Sequence, residues 1–193
     1  MSREEQAAVT RAELLRVARE LFAARGYADV GTEEIVRSAH VTRGALYHHF
    51  TDKRDLFRAV HEQVADDVLA TIAGRLAGVS DPWQALETGV RAFLDACTDP
   101  AVIRISHLDA PAVLGWVEWR EIDARHWLGL VTAGVQEAMD GGVFRPQAVQ
   151  PLAHMLLGAM VEASMLIASA PDPAVARSDV EGPLLALLEG LRV

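Results

Sequence analysis

The sequence predicts an all-α protein, and three observations carry that expectation. Apolar residues recur every three or four positions along most of the chain, with no run that alternates at the period of two a half-buried strand needs. The breaker-rich stretches are short, Ser80-Asp81-Pro82, Thr98-Asp99-Pro100, Gly141-Gly142 and Ala170-Pro171-Asp172-Pro173, and leave helix-length intervals between them. Capping residues stand at the starts of several intervals. At 193 residues, 51% hydrophobic and 23% charged, the chain can bury a core and is too apolar to stay disordered.

In chain order, a first helix is expected from a Thr10 cap to Arg25, with Leu14, Leu15, Ala18, Leu21 and Phe22 inward and Gly26 as its stop. Thr32 should cap a short second helix carrying Ile35 and Val36, and Thr42 a third of about two turns over residues 43–49. Asp52 then caps a long helix over residues 53–76. Further helices are expected over residues 82–97, 101–108, 116–140, 146–169 and between 173 and 191, with Pro82, Pro100 and Pro146 where a first-turn proline forfeits no hydrogen bond. Pro111 should end the helix before it, and Gly182-Pro183 should delay or kink the last one.

Charge is distributed unevenly. The chain carries 18 Lys plus Arg against 27 Asp plus Glu, net -9, which excludes binding nucleic acid or an anionic membrane by bulk charge. Residues 1–58 hold 10 basic and 9 acidic side chains, net +1, and the remainder 8 and 18, net -10. The expected domains are therefore 1–58 and 59–193. The single cysteine, Cys97, cannot form an intrachain disulfide, and nothing flags it as a reactive thiol. Arg3, Glu4, Glu5 and Arg11 interrupt any apolar signal segment, so a cytoplasmic location is expected. The apolar stretch 152–170 approaches bilayer-spanning length but contains His154, Gly158, Glu162 and two serines, and reads as a helix buried in protein, with no membrane partner.

The first 58 residues contain a short helix, a tight turn and a second short helix after a longer one, which is the layout of a helix-turn-helix unit. Ile35, Ala39, Val41 and Leu46 supply the small apolar inner face, leaving Arg43, Ala45, Tyr47 and His48 to project outward into a DNA groove. Thr32 and Thr42 stand at helix N-termini, where phosphate is favoured, and Lys53 begins the long helix beside the amides capped by Asp52. Phe50 reads as core. The adjacent pair His48-His49 points in different directions on a helix and completes no metal site.

The run from Thr32 and Ile35 through Ala39, Val41-Thr42-Arg43-Gly44-Ala45-Leu46-Tyr47-His48-His49-Phe50-Thr51-Asp52-Lys53 to Leu56-Phe57 resembles the N-terminal signature of the TetR/AcrR family of bacterial transcription regulators. The resemblance implies that Thr42, Arg43, Gly44, Tyr47 and His48 lie on the recognition helix and that Thr32, Tyr47 and Lys53 hold phosphates. Arg43 then becomes the base reader, since its fork matches O6 and N7 of guanine, and Gly44 allows close approach. His40 departs from the family's usual glycine at the turn and must tolerate a positive φ. The resemblance further implies duplex operator DNA as partner, a homodimer, a small hydrophobic effector, no cofactor and no enzymatic activity. The absence of a Ser-His-Asp order, a glycine-rich phosphate loop or closely spaced metal ligands agrees with the last point.

The remainder resembles the family's divergent regulatory half, including the phrases around 108–116 and 119–125. Trp116, Trp119, Asp123 and Trp127 recur at spacings of 3, 4 and 4, placing three indoles and a carboxylate along one stripe that either fills core or walls a ligand cavity. Phe93, His107, Met155 and Glu162 complete the expected ligand set. Leu152 and Leu156 with Leu184, Leu187, Leu188 and Leu191, apolar on consecutive helices, are the expected dimer interface. The alternative left open is a dimeric DNA-binding protein with no small-molecule effector.

Overall fold

The computed structural model describes residues 2–193 and contains no strand among them, only an isolated bridge between Phe144 and Arg192. The helices are α1 (Arg3–Arg25), α2 (Thr32–Ser38), α3 (Arg43–His49), α4 (Lys53–Leu76), α5 (Pro82–Ala96), α6 (Pro100–Val102), a π-helical segment (Ile103–Asp109), α7 (Ala110–Leu114), α8 (Trp116–Asp140), α9 (Val149–Ser169) and α10 (Pro173–Glu189).

The start of α1 corrects the sequence expectation. Ser2 and Glu5 form a reciprocal capping box, Ser2 N–H donating to Glu5 Oε2 at 2.7 Å and Glu5 N–H to Ser2 Oγ at 3.1 Å, so the helix begins seven residues before Thr10. Thr10 sits inside it and donates back to the Gln6 carbonyl at 2.9 Å. Thr32 likewise is the first residue of α2, with Gly31 at the cap position and no side-chain cap. Thr42 and Asp52 do cap: their side chains accept from Ala45 N–H at 3.1 Å and Asp55 N–H at 2.8 Å. α9 starts at Val149 rather than Pro146, because residues 143–145 are held extended by the C-terminus, Arg145 N–H donating to Leu191 O at 3.3 Å and Val193 N–H to Val143 O at 3.2 Å.

Pro111 does not break its helix. The chain remains helical from Pro100 to Leu114 by widening to a π register over Ile103–Asp109, and turns at Gly115 with φ 83°. In that register the amide at 111 would serve the Ser106 carbonyl, and proline has none to give. The indole N–H of Trp119 supplies the missing donor at 3.0 Å. α10 also runs unbroken through Gly182-Pro183, since both residues are exposed and water can serve the carbonyl that Pro183 abandons.

The chain forms two compact units whose division does not follow the 58/59 boundary. One comprises the chain up to Val64 together with Pro100–Trp119, the other Ala65–Asp99 together with Arg120–Val193. In the first unit Leu14, Phe22, Ile35, Leu46, Leu56 and Phe57 are fully buried, and Tyr27 rings pack edge-on against Phe57 at 5.1 Å. The 100–119 segment is tied in by polar contacts. Tyr27 N–H donates to Asp109 Oδ2 at 2.7 Å, and Arg54 donates to the Val113 and Leu114 carbonyls at 3.1 and 2.9 Å and to Glu118 at 2.6 Å, so one guanidinium satisfies the open carbonyls at the end of α7. In the second unit α9 and α10 pack side by side, α5 meets both, and Asp95 bridges Arg75 and Arg177 at 2.5 and 2.8 Å. By length and composition α9 alone among the described helices could cross a bilayer, but Leu152, Leu157, Val161, Ser164 and Ile167 are buried within the unit, as expected of a core helix.

Candidate nucleic-acid interface and effector cavity

α3 is seven residues long and could not persist alone, so its orientation comes from its ends and its one buried side chain. Thr42 closes its N-terminus and Leu46, fully buried, pins it to the first unit. Thr42, Arg43, Gly44, Tyr47 and His48 are consequently exposed together, Tyr47 at 42%. The Arg43 guanidinium lies over the Tyr47 ring, 5.5 Å from its centroid, and 3.9 Å from Glu33 on α2, which holds the fork near the surface without committing its donors. A Cβ built on Gly44 would meet only Thr42 Oγ1 at 3.8 Å, so packing inside the chain does not demand glycine there.

The turn before α3 carries His40 at φ 54°, the one non-glycine residue with positive φ among those described, so the chain accepts the strain that a glycine would remove. Thr32 is half-buried. Lys53 donates to the Tyr27 carbonyl at 2.5 Å and lies 3.9 Å from the Tyr27 ring centroid; burial pushes its pKa down while Asp109 and Asp29 push it up. An ammonium has three protons, and this contact uses one.

The second unit contains a cavity of about 370 Å³. Its walls come from the last turns of α4, from α5, from α8 beyond Trp127, and from α9 and α10. Phe93 and Trp127 meet edge to face, 6.0 Å between centroids, at one end. Small residues make the space: Ala85 and Gly89 stand one turn apart on α5, and Ala133 and Gly134 lie on α8. Behind the Trp127 wall, Asp123 is 8% exposed; burial pushes its pKa up to about 6, against the opposing influence of Arg120, His126 and a hydrogen bond from Trp127.

Comparison with known proteins agrees with this layout. Residues 14–60 match the profile of bacterial regulatory proteins of the tetR family, and residues 83–191 match the tetracyclin repressor-like C-terminal domain. The chain belongs to the TetR family. It is 30% identical over 145 residues to the transposon Tn10 TetC protein of Escherichia coli, a match that covers 75% of this chain and 73% of TetC. It superposes on the crystal structure of a TetR-family transcriptional regulator from Pectobacterium atrosepticum with a TM-score of 0.89 and 34% identity, over 100% of this chain and 98% of that one. RolR in complex with resorcinol shares the fold, at TM-score 0.66 and 22% identity over 96% of this chain and 90% of RolR.

As a TetR-family member the chain is a DNA-binding transcriptional regulator and not an enzyme; such regulators act as dimers on operator DNA and bind small molecules. The structure brings only part of the expected ligand set together. Phe93 and Trp127 line the cavity, and Asp123 stands one turn behind it. Trp116 is 60% exposed and Trp119 1% exposed, both in the first unit, where Trp119 serves Ser106. His107 also lies in that unit; both its ring nitrogens are buried without a hydrogen-bond partner, and burial pushes its pKa down to about 4. Met155 and Glu162 are on the exposed side of α9.

The expected dimer leucines divide as well. Leu156, Leu184 and Leu188 line the cavity and Leu152 is buried, whereas Leu187 is 57% exposed and Leu191 half-buried. The i, i+3, i+4, i+7 stripe of α10 is split: Leu184 and Leu188 turn to the cavity, while Leu187 at the edge of the stripe and Val175 farther round the helix are left exposed. Sequence reasoning missed Leu86, Leu130 and Glu137 in the lining, and the small pair Ala85 and Gly89 at i, i+4 on the apolar side of α5 was a signal that could have found the α5 wall.

Proposed function

We propose that this regulator is a cytoplasmic homodimeric repressor that holds a palindromic operator and releases it when a small apolar molecule occupies the cavity of the second unit. The observation that carries the reading is that cavity, about 370 Å³ and walled by side chains from five helices, because a concave, mostly apolar space with few polar groups is the form small-molecule sites take. RolR, which shares the fold, was solved with a small aromatic ligand, and this supports the same class of use here. A DNA-binding dimer without an effector would gain stability by closing the space.

In this reading Arg43 reads a guanine, Gly44, Tyr47 and His48 fill the groove around it, and Thr32, Thr42 and Lys53 face phosphates. Dimerisation uses the open sides of α9 and α10, where Met155, Leu166, Val175 and Leu187 are 68, 51, 56 and 57% exposed. Transmission runs through residues 100–119, which pack with the DNA-binding head and continue in the chain into α5 and α8. Operators selected from random duplexes should be palindromic, and titrating a bound operator with small apolar compounds should release it. Selection that returns no inverted repeat, or ligands that fill the cavity and leave operator affinity unchanged, would overturn the proposal.

A further inference from the structure

We infer that the cavity selects a slender amphiphile with one apolar chain and a cationic or hydrogen-donating end, and that it rejects carboxylates; this rests on the reading of the cavity as the effector site. Shape is the first argument. Phe93 and Trp127 close one end, while a Cβ on Gly141 would lie 3.1 Å from Pro82 Cγ and 3.2 Å from the Glu137 carbonyl, so the start of α5 lies against the end of α8. The two helices therefore run antiparallel along the cavity. From Trp127 to Glu137 α8 rises roughly 15 Å, so the walls run long enough to take an extended hydrocarbon chain.

Polarity is the second. Among the described lining residues Glu137 is the only one with a charged side chain, and no Lys, Arg or His joins it. Within the helix interiors that make most of the wall, carbonyls and amides are spent on one another. The indole N–H of Trp127, the one other polar group, is used by Asp123. A carboxylate head carried inward would thus find no donor, and burying an unpaired ion is among the most costly steps a site can impose; held at the Glu137 end it would meet a like charge. Arg192, the cation of the C-terminal tail, lies over the Trp83 ring at 4.6 Å and pairs with Glu189 at 3.1 Å, and it is not part of the lining. Glu137 itself is exposed and among the lining residues, so an ammonium or hydroxyl head at the solvent-open end can meet it while the chain lies inward.

The test is isothermal titration calorimetry of the full chain with decylamine, decan-1-ol and decanoate at neutral pH, below micelle-forming concentrations. Decylammonium should bind tightest and decanoate at least about tenfold more weakly than the alcohol. Glu137→Gln should narrow the ratio between ammonium and carboxylate, and Glu137→Lys should reverse it, with circular dichroism showing both variants folded. Decanoate binding as tightly as decylammonium, no binding by any of the three, or a ratio that ignores the charge at 137 overturns the inference. Its failure is separable from that of the effector reading. Another ligand class that releases operator would leave that reading standing, whereas head-dependent decylammonium binding without operator release supports the class inference and sinks the effector reading.

Discussion

The recognition helix and the cavity do opposite things with side chains. α3 presents its function as exposed polar groups on one seven-residue segment, positioned by a cap at Thr42 and a single anchor at Leu46. The cavity presents its function as missing volume, assembled from chain positions as far apart as Ile72 and Leu188. A site made of groups is specified by which residues stand where, within one turn of helix. A site made of space is specified by which residues are small and by how distant helices fail to meet. The first tolerates little change in its anchor and the second little change in its gaps.

The largest test of that contrast compares two leucines. Leu46→Ala removes the fully buried anchor of a helix too short to stand alone, and should cost about 2–5 kcal/mol in denaturant unfolding and abolish operator binding. Leu187, 57% exposed, anchors nothing within the chain. Replacing it together with Met155 by Glu should leave helicity intact while sedimentation moves from dimer to monomer. If the double variant unfolds, or stays dimeric, α10's open face is not the interface.

The two units should also answer acid in opposite directions. Asp123 in the second unit has a folded pKa of about 6, above the usual aspartate value near 3.9. The folded chain therefore holds a proton that the unfolded chain has released between those values, so acidification through that window stabilises, and the gain is lost as pH rises through about 6. His107 in the first unit has a folded pKa of about 4, below the usual value near 6.5, so acidification drives protonation of the unfolded chain and destabilises. Each effect is about 3 kcal/mol at full extent, and in the wild type they oppose each other. Asp123→Asn should raise the thermal midpoint at pH 7 and leave a protein that weakens steeply below pH 6. His107→Phe should leave one that gains stability over the same range. Midpoints that shift in parallel for both variants would remove this asymmetry.

Arg43→Ala should weaken specific operator binding by about 1–3 kcal/mol and relax preference at one base pair per half-site, with random duplex affinity little changed. Lys53→Ala should lower affinity for all sequences and flatten the salt dependence. Equal losses on specific and random DNA for Arg43→Ala would take it out of the base-reading role.

Why the head was legible and the cavity was not follows from the same contrast. Thr42, Leu46 and the α3 and α4 bounds lie within one local pattern of caps and spacing, and the sequence places them correctly. The start of α1 was missed because Ser2 and Glu5 outcompete Thr10 as a cap, and both signals look alike in sequence. Trp116 and Trp119 enter the expected ligand set because large aromatics are conspicuous, while the sequence leaves core and cavity wall as alternatives for them. Trp119 instead donates to the Ser106 carbonyl, thirteen residues before it, which Pro111 leaves without an amide partner, a need visible only once the π register is known. Leu184 and Leu188, expected at the dimer interface, line the cavity, since a stripe shows that a face is apolar and not what it meets.

The smallest effect on stability should come from closing the gap itself. A Cβ on Gly134 would sit 3.3 Å from Leu86 Cδ2, the movable end of a side chain that also lines the cavity. Gly134→Leu therefore directs a branched side chain toward vacant space and replaces a mid-helix glycine, a change that relieves up to about 1 kcal/mol of backbone entropy. Packing against Leu86 offsets part of that gain, so the unfolding free energy should change by less than about 1 kcal/mol. Operator affinity in the absence of ligand should be unchanged, because nothing in α3 or its anchors is touched. Ligand binding should fall steeply and operator release with it. A variant that folds, binds operator and still responds to effector would place the effector elsewhere; one that is strongly destabilised would show that the space beside Gly134 is already filled by protein.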